Sequence, residues 1–147
     1  NTVLVINRRD YSQAEVEDWA SCGNNLSNIK ERIETHYFVV AVNQQSQIVG
    51  FSSITPQGYL HSMFVHKDFQ GEGIATMLLE EIERYAITAG ITRITSEVSL
   101  TARPFFEKKG YAVEKEQKRK ANQLSLTNFL MAKEVAFLEY YNKKVTD

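Results

Sequence analysis

The 147-residue chain contains a single cysteine, Cys22, two prolines and three histidines. One thiol excludes an internal disulfide and a thiolate-held metal cluster. His36, His61 and His66 show no His-x-x-x-His spacing, so no metal site is expected. No apolar run reaches the length of a membrane span and no secretory leader is visible, so the expectation is a cytoplasmic protein with no membrane partner. Excess charge of either sign is also lacking: 17 basic against 18 acidic side chains leave a net charge of −1. Nothing in that balance points to nucleic acid. The chain opens on Asn1 rather than methionine, and residues ahead of it are expected.

What is present is enough apolar chain, 43% of all residues, to bury a core, and one domain over residues 1–147 is expected. Residues 1–7 are apolar and read either as a strand or as the end of a helix. Ser12 with Glu15 three residues on is a capping box opening a short helix to Ser21, and Ser27 caps a second helix to about Thr35. Three strands follow, 37–42, 47–55 and 59–65, joined by turns at 43–46 and 56–58. The first of them, Tyr-Phe-Val-Val-Ala-Val, does not alternate and should be covered on both faces. A long helix to Gly90 is marked by Ile74, Leu78, Ile82, Ala86 and Ala89 at three- and four-residue intervals. A strand at 92–98, a helix at 101–109 closed by Gly110, a hairpin of 111–120 with 124–133, and a tail helix over 134–147 complete the order. Within the last arm the apolar phase changes near Asn128, which predicts a bulge or bend there.

The stretch that carries chemistry is residues 66–76, His-Lys-Asp-Phe-Gln-Gly-Glu-Gly-Ile-Ala-Thr, between the third strand and the long helix. The first backbone N–H groups of a helix lack intrahelical partners and sit at the positive end of its dipole. Gly71 and Gly73 carry no Cβ, so a ligand can approach this backbone closely. The physics predicts an anion site suited to a pyrophosphate. A Walker A loop is excluded, because no Gly-Lys-Ser/Thr is present. The dinucleotide fingerprint fails as well, because Thr76 stands where its last glycine belongs.

The spacing Gln-x-x-Gly-x-Ala at Gln70, Gly73 and Ala75 resembles the acyl-CoA-binding signature of the GCN5-related N-acetyltransferases, the GNAT family. A second resemblance lies at residues 99–111, where Ala102, Gly110 and Tyr111 match the family's Asn-x-x-Ala-x-x-x-Tyr-x-x-x-Gly-Phe. Ser99 and Phe106 depart from it, at the positions of the asparagine that meets the pantetheine arm and the tyrosine that protonates the leaving thiolate. Within the family, Asp10-Tyr11-Ser12, Trp19-Ala20 and Asn128-Phe129 look like a bacterial subgroup typified by the YafP-like acetyltransferases.

The resemblance implies an α+β fold with a mixed, mostly antiparallel central sheet flanked by helices. Residues 1–7 lie about where the family's first helix ends, so the first strand is expected to be missing from this chain. The implied activity is transfer of an acetyl group from acetyl-CoA to a primary amine of a small molecule or peptide, by direct attack on the thioester. The alternative is a non-catalytic acyl-CoA sensor. The implied partners are acetyl-CoA and an amine acceptor, and self-association as a homodimer stays open.

By register with the family, a bulge at Met63–Phe64 frees the N–H of Phe64 or Val65 for the thioester oxygen. The pantetheine amides pair with Met63 and Val65. The pyrophosphate takes N–H groups from Gly71, Glu72, Gly73, Ile74, Ala75 and Thr76. His61 is the first candidate for proton acceptor, since histidine titrates near neutrality, and Glu97 is the second. His66 lies past the strand. Trp19, Phe38 and Phe51 are either acceptor-pocket lining or core. Phe106 has no proton to give, so the thiolate leaves unassisted or is protonated by Ser99, Tyr111 or water.

Overall fold

The computed structural model describes residues 4–7, 36–71, 73–121 and 124–135, and only the backbone of 4–7, 119–121 and 124–126. The two early helices, the subgroup residues at 10–12 and 19–20, the tail helix, Trp19 and Glu72 lie outside the described residues. The chain divides into two compact units, residues 1–57 with 61–85, and residues 58–60 with 86–147.

In the first unit, strands β1 (Leu4–Asn7), β2 (Tyr37–Val42), β3 (Ile48–Ile54) and β4 (Leu60–Val65, whose Leu60 belongs to the second unit) follow one another in that order in one sheet. The expected absence of a front strand is therefore corrected. Leu4 to Asn7 pair antiparallel with Val42 to Val39. The physical reason lies in β2, whose apolar run is buried from Phe38 to Val42 and takes hydrogen-bonding neighbours on both edges. The β2–β3 turn is held by Asn43, whose Oδ1 accepts from the amides of Gln45 and Gln47 at 3.0 Å each. Strands β3 and β4 run antiparallel, since Val49 O accepts from His66 N while Ser53 meets Ser62.

After β4 comes a 3-10 turn, Lys67–Phe69, and then helix α1, Ile74–Thr88. Ile74, Leu78, Leu79, Ile82 and Ala86 are buried, as the apolar periodicity predicts, whereas Ala89 lies past the helix and is exposed. A polar tie joins α1 to the sheet. The Tyr37 hydroxyl donates to Glu81 Oε2 at 2.6 Å, Arg84 Nε donates to Glu81 Oε1 at 2.8 Å, and the Tyr37 ring stacks on Tyr85 at 3.8 Å.

The second unit holds β5 (Arg93–Ser99), α2 (Arg103–Lys108), β6 (Ala112–Ala121) and β7 (Leu124–Glu134), with the strands in the order β5-β7-β6, all antiparallel. Gly58 opens this unit at a φ of +94°. A Cβ there would stand 2.4 Å from Arg93 O, and Gly58 O accepts from Thr95 N. One face of the sheet buries Ile94, Val98, Phe129 and Met131. Phe106 and Tyr111 are buried too and meet edge-on at 5.3 Å. Gly110 closes α2 at a φ of +97°, as expected of a C′ glycine.

The bulge anticipated near Asn128 is corrected. Strand β7 pairs without interruption from Asn128 to Glu134 with β5, and the register shift lies on the other arm, between Val113 and Lys115. What changes at Asn128 is the neighbourhood, because β5 joins β7 there opposite Ser99. The extra residue, Glu114, is ion-paired with Arg93, which also reaches Glu134 at 3.4 Å.

Candidate functional site

Most of the residues that the sequence singles out lie together on one continuous piece of the first unit, from His61 in β4 through the 3-10 turn to Thr76 in α1. Two features hold the piece in place. His66 Nδ1 accepts from Asp68 N at 3.2 Å and so caps the 3-10 turn, with the Phe69 ring edge-on to its imidazole. Gly50, in the middle of β3, is the second. A Cβ on it would stand 2.7 Å from Phe64 O and 3.3 Å from both Ile74 Cγ2 and Leu78 Cδ1. The end of β4 and the first turns of α1 therefore close onto β3 at one glycine. An isolated glycine inside a strand is the sequence signal for such an approach.

The backbone of β4 alternates in a way that separates its candidates. His66 N–H and Phe64 C=O turn toward β3, onto Val49 O and against Gly50. Residues in between turn the other way: Val65 O accepts instead from Gln70 Nε2 at 3.4 Å. In the four-stranded sheet β4 is the last strand, so the edge to which Val65 and Met63 turn their peptide groups is the outer one. Outside the strand, Tyr59 forms a single parallel bridge with Thr95.

Both glycines of the turn adopt positive φ, +84° at Gly71 and +79° at Gly73, and a Cβ on either would meet nothing within 4 Å. Their glycine character is thus a backbone requirement that leaves open space in front of the turn. Gly73 O accepts from Met77 N at 3.1 Å, the first bond of α1, which makes Gly73 the N-cap. Having no side chain, it cannot cap the next amides, and α1 carries no acidic residue in its first turn. The N–H groups of Ile74, Ala75 and Thr76 belong to the first turn, whose amides have no partner within the helix and sit at its positive end.

His61 is exposed, and its ring lies 5.4 Å from that of His36, with the planes tilted by 46°. Separation in sequence hides this pairing from any local pattern. Phe64 is 39% exposed and stacks on Phe51, which stacks on Phe38. Phe38 and Phe51 themselves are core residues, each 2% exposed.

Ser99, Glu97 and Phe106 belong to the second unit. Ser99 Oγ accepts from Ala102 N at 3.1 Å, which leaves its own proton available to donate. Glu97 is exposed at mid-strand opposite Leu130. Phe106 is 4% exposed and fills the space between Phe105 and Tyr111. Among the described residues, no group of three or more His, Cys, Asp or Glu is arranged to hold a metal ion, and no helix is long and apolar enough to cross a membrane.

Comparison with known proteins gives a consistent picture. The family model described as an acetyltransferase (GNAT) domain matches residues 7–134. An uncharacterised N-acetyltransferase of Escherichia coli (strain K12), YafP, is 30% identical over 122 residues, covering 82% of this chain and 75% of its own. A GCN5-related N-acetyltransferase from Rhodopseudomonas palustris superposes with a TM-score of 0.74 at 24% identity, covering 92% of this chain and 97% of that one. An aminoglycoside 6′-N-acetyltransferase crystallised with coenzyme A superposes with a TM-score of 0.73 at 19% identity, over 89% of this chain and 96% of that one. With an intact turn, an α+β fold and a family model spanning both units, the chain belongs to the GNAT family of N-acetyltransferases.

Proposed function

We propose that the protein transfers an acetyl group from acetyl-CoA to a primary amine of a small molecule or peptide, by direct attack of the amine on the thioester. The observation that carries this reading is the start of α1, which follows two positive-φ glycines whose Cβ positions stand in open space and has no acidic residue in its first turn. Such a site suits a pyrophosphate. The fold neighbour crystallised with coenzyme A supports the same cofactor class.

In this reading the pyrophosphate takes amides from Gly71 to Thr76, with Gln70 at its edge. The pantetheine amides extend the sheet along the outer edge of β4, pairing with Met63 and Val65. A break in the pairing at Met63–Phe64 gives the thioester oxygen a backbone donor. The alternation along β4 favours the N–H of Val65, which turns away from β3, over that of Phe64. Oriented backbone donors of this kind stabilise the tetrahedral oxyanion as its charge develops.

A protonated amine cannot attack. His61 takes the proton from the ammonium, directly or through a water, before the C–N bond forms, and the freed electron pair then attacks the thioester carbon. The thiolate is a modest base, with a free thiol pKa of about 8.5, so it leaves without a proton from Phe106, which has none to give, and takes one from water.

The decisive experiment pairs calorimetry with turnover. Gly73→Val should keep the fold and lose acetyl-CoA binding, and an unchanged affinity in the folded variant overturns the cofactor site. Thiol release by the intact protein across a panel of amines identifies the acceptor class. Release with none of them returns the chain to the non-catalytic sensor.

A further inference from the structure

Two amide side chains in the middle of the second sheet are short of hydrogen-bond donors. Asn128 of β7 stands opposite Ser99 of β5 on one side and Gln117 of β6 on the other, so the three side chains share one face of the sheet. That face is the one turned away from the core, since Val98 and Phe129, their chain neighbours, are buried on the other. Asn128 Oδ1 and Gln117 Oε1 are nevertheless both buried, and neither accepts a hydrogen bond. Among the described residues of the second unit, no other buried side-chain oxygen or nitrogen lacks a partner. Ser99, at the end of the row, is engaged, because its Oγ accepts from Ala102 N.

We propose that Gln117 and Asn128 form a binding site for a primary amino group of the acceptor substrate. The assignment rests on the acetyltransferase reading above and gives that reading residues for its second substrate. Each free oxygen needs a proton, and directly opposed side chains start about 5 Å apart. A group that serves both oxygens from one atom must carry at least two protons. A primary amine carries two, and its ammonium form carries three. The secondary amides of a peptide or of a pantetheine arm carry one each, enough for a single oxygen.

Uncharged acceptors suit an amine that must lose a proton before it reacts. A carboxylate in their place would hold the nitrogen in its protonated form, whereas an amide oxygen accepts from either form. On the same face Glu97 and Lys115 both stand opposite Leu130, so neither sign of charge dominates beside the row. A buried acceptor without a donor costs stability in the free protein. Binding an amino group relieves that cost and binding an apolar group of the same size does not, which makes the pair selective for N–H donors.

The test is an NMR titration of the full chain that follows the side-chain NH2 signals of Gln117 and Asn128. The probe is n-butylammonium chloride, and butyltrimethylammonium chloride is the control. Both cations carry the same charge and the same butyl chain, and only the first has N–H groups. The primary amine should shift both signals saturably and the quaternary one should not, a comparison that needs no variant to fold. In Gln117→Met and in Asn128→Leu the Kd for n-butylammonium should rise by about three- to tenfold, the effect of one hydrogen bond. Acetyl-CoA affinity should be the same in both variants as in the intact chain. Equal shifts with both cations would make the response one to charge, and no shift with either would leave the amides bonded to each other or to a buried water. Both results overturn the proposal. A fall in acetyl-CoA affinity in either variant gives the amides to the pantetheine arm and overturns it too. The acetyltransferase reading fails by separate measures, unchanged acetyl-CoA affinity in folded Gly73→Val or no thiol release with any amine, and neither depends on these signals.

Discussion

Gly50 and Phe64 face each other across β3 and β4 so closely that a Cβ on the glycine would stand 2.7 Å from the phenylalanine's carbonyl oxygen. Real Cβ atoms do not tolerate that distance against backbone. The side chains of Ile74 and Leu78 close the same space from α1. One absent methyl group therefore sets how near the candidate catalytic strand and the candidate phosphate helix come to the sheet.

At Gly50 the cost of substitution should grow with size. Gly50→Ala should destabilise by about 1–3 kcal/mol, as overpacking does, and Gly50→Val by more. At Gly71, where a Cβ meets nothing within 4 Å, alanine should cost only the left-handed backbone strain of about 1–2 kcal/mol. Urea unfolding of Ala and Val variants at the two sites separates these cases, and equal size dependence at both would contradict the geometry.

Tyr37 makes the stability sensitive to alkali. Burial, reinforced by the Glu81 carboxylate, pushes its phenol up to about 12 from 10.0. Burial also pushes the Glu81 carboxyl up, but hydrogen bonds from Arg84 and Tyr37 outweigh it and hold the carboxyl below the ordinary glutamate value. Between the two phenol values the folded chain keeps a proton that the unfolded chain has released. Stability is then fully present below the unfolded value and falls as pH rises through that window. Tyr37→Phe should flatten the fall, as read by denaturant midpoints over the alkaline range.

Phe106 should behave as a core residue. Its ring is 4% exposed and edge-on to Tyr111 and Phe105. Phe106→Ala should cost about 3–5 kcal/mol, visible as a lowered thermal midpoint. Phe106→Tyr should leave turnover unchanged or raise it, since the hydroxyl restores a donor at the family's acid position. A large fall in turnover at constant acetyl-CoA affinity would show that the ring's apolar character matters and that this helix does not align with the family's acid position.

Gln117 and Asn128 stand opposite each other in β6 and β7, and Gln117 Oε1 and Asn128 Oδ1 are both buried without a hydrogen bond. An orphaned buried acceptor costs about 1–3 kcal/mol. Gln117→Met and Asn128→Leu should therefore keep or raise the unfolding midpoint. A marked loss in either would show that the amide is satisfied in solution.

The turn and helix α1 were legible in the sequence because their signals are local. Two glycines precede a stripe of Ile74, Leu78 and Ile82, and each feature is read within a few residues. The strands from Tyr37 to Val65 were legible for the same reason. Cross-strand relationships were not. The contact of His36 with His61 depends on register across three strands, which no short window encodes. Apolar phase points to the wrong arm for the bulge because it reports surroundings as well as backbone, and Asn128 is where β5 joins β7. The front strand is illegible because a run as short as Leu4–Asn7, three apolar residues and an asparagine, fits a strand or a helix end equally well until β2 is seen to pair with it.

Helix α1 starts on a glycine that has no side chain with which to finish it. A bound pyrophosphate would supply the missing cap, so occupancy and folding share one free energy. A ligand held at a hundred times its Kd adds about 2.7 kcal/mol to the folded state. With the pyrophosphate bound there as proposed, the empty protein would be the form whose first helical turn frays, exchanges its amides and offers itself to proteases. How long each molecule survives in a cell would follow the supply of its own acyl donor.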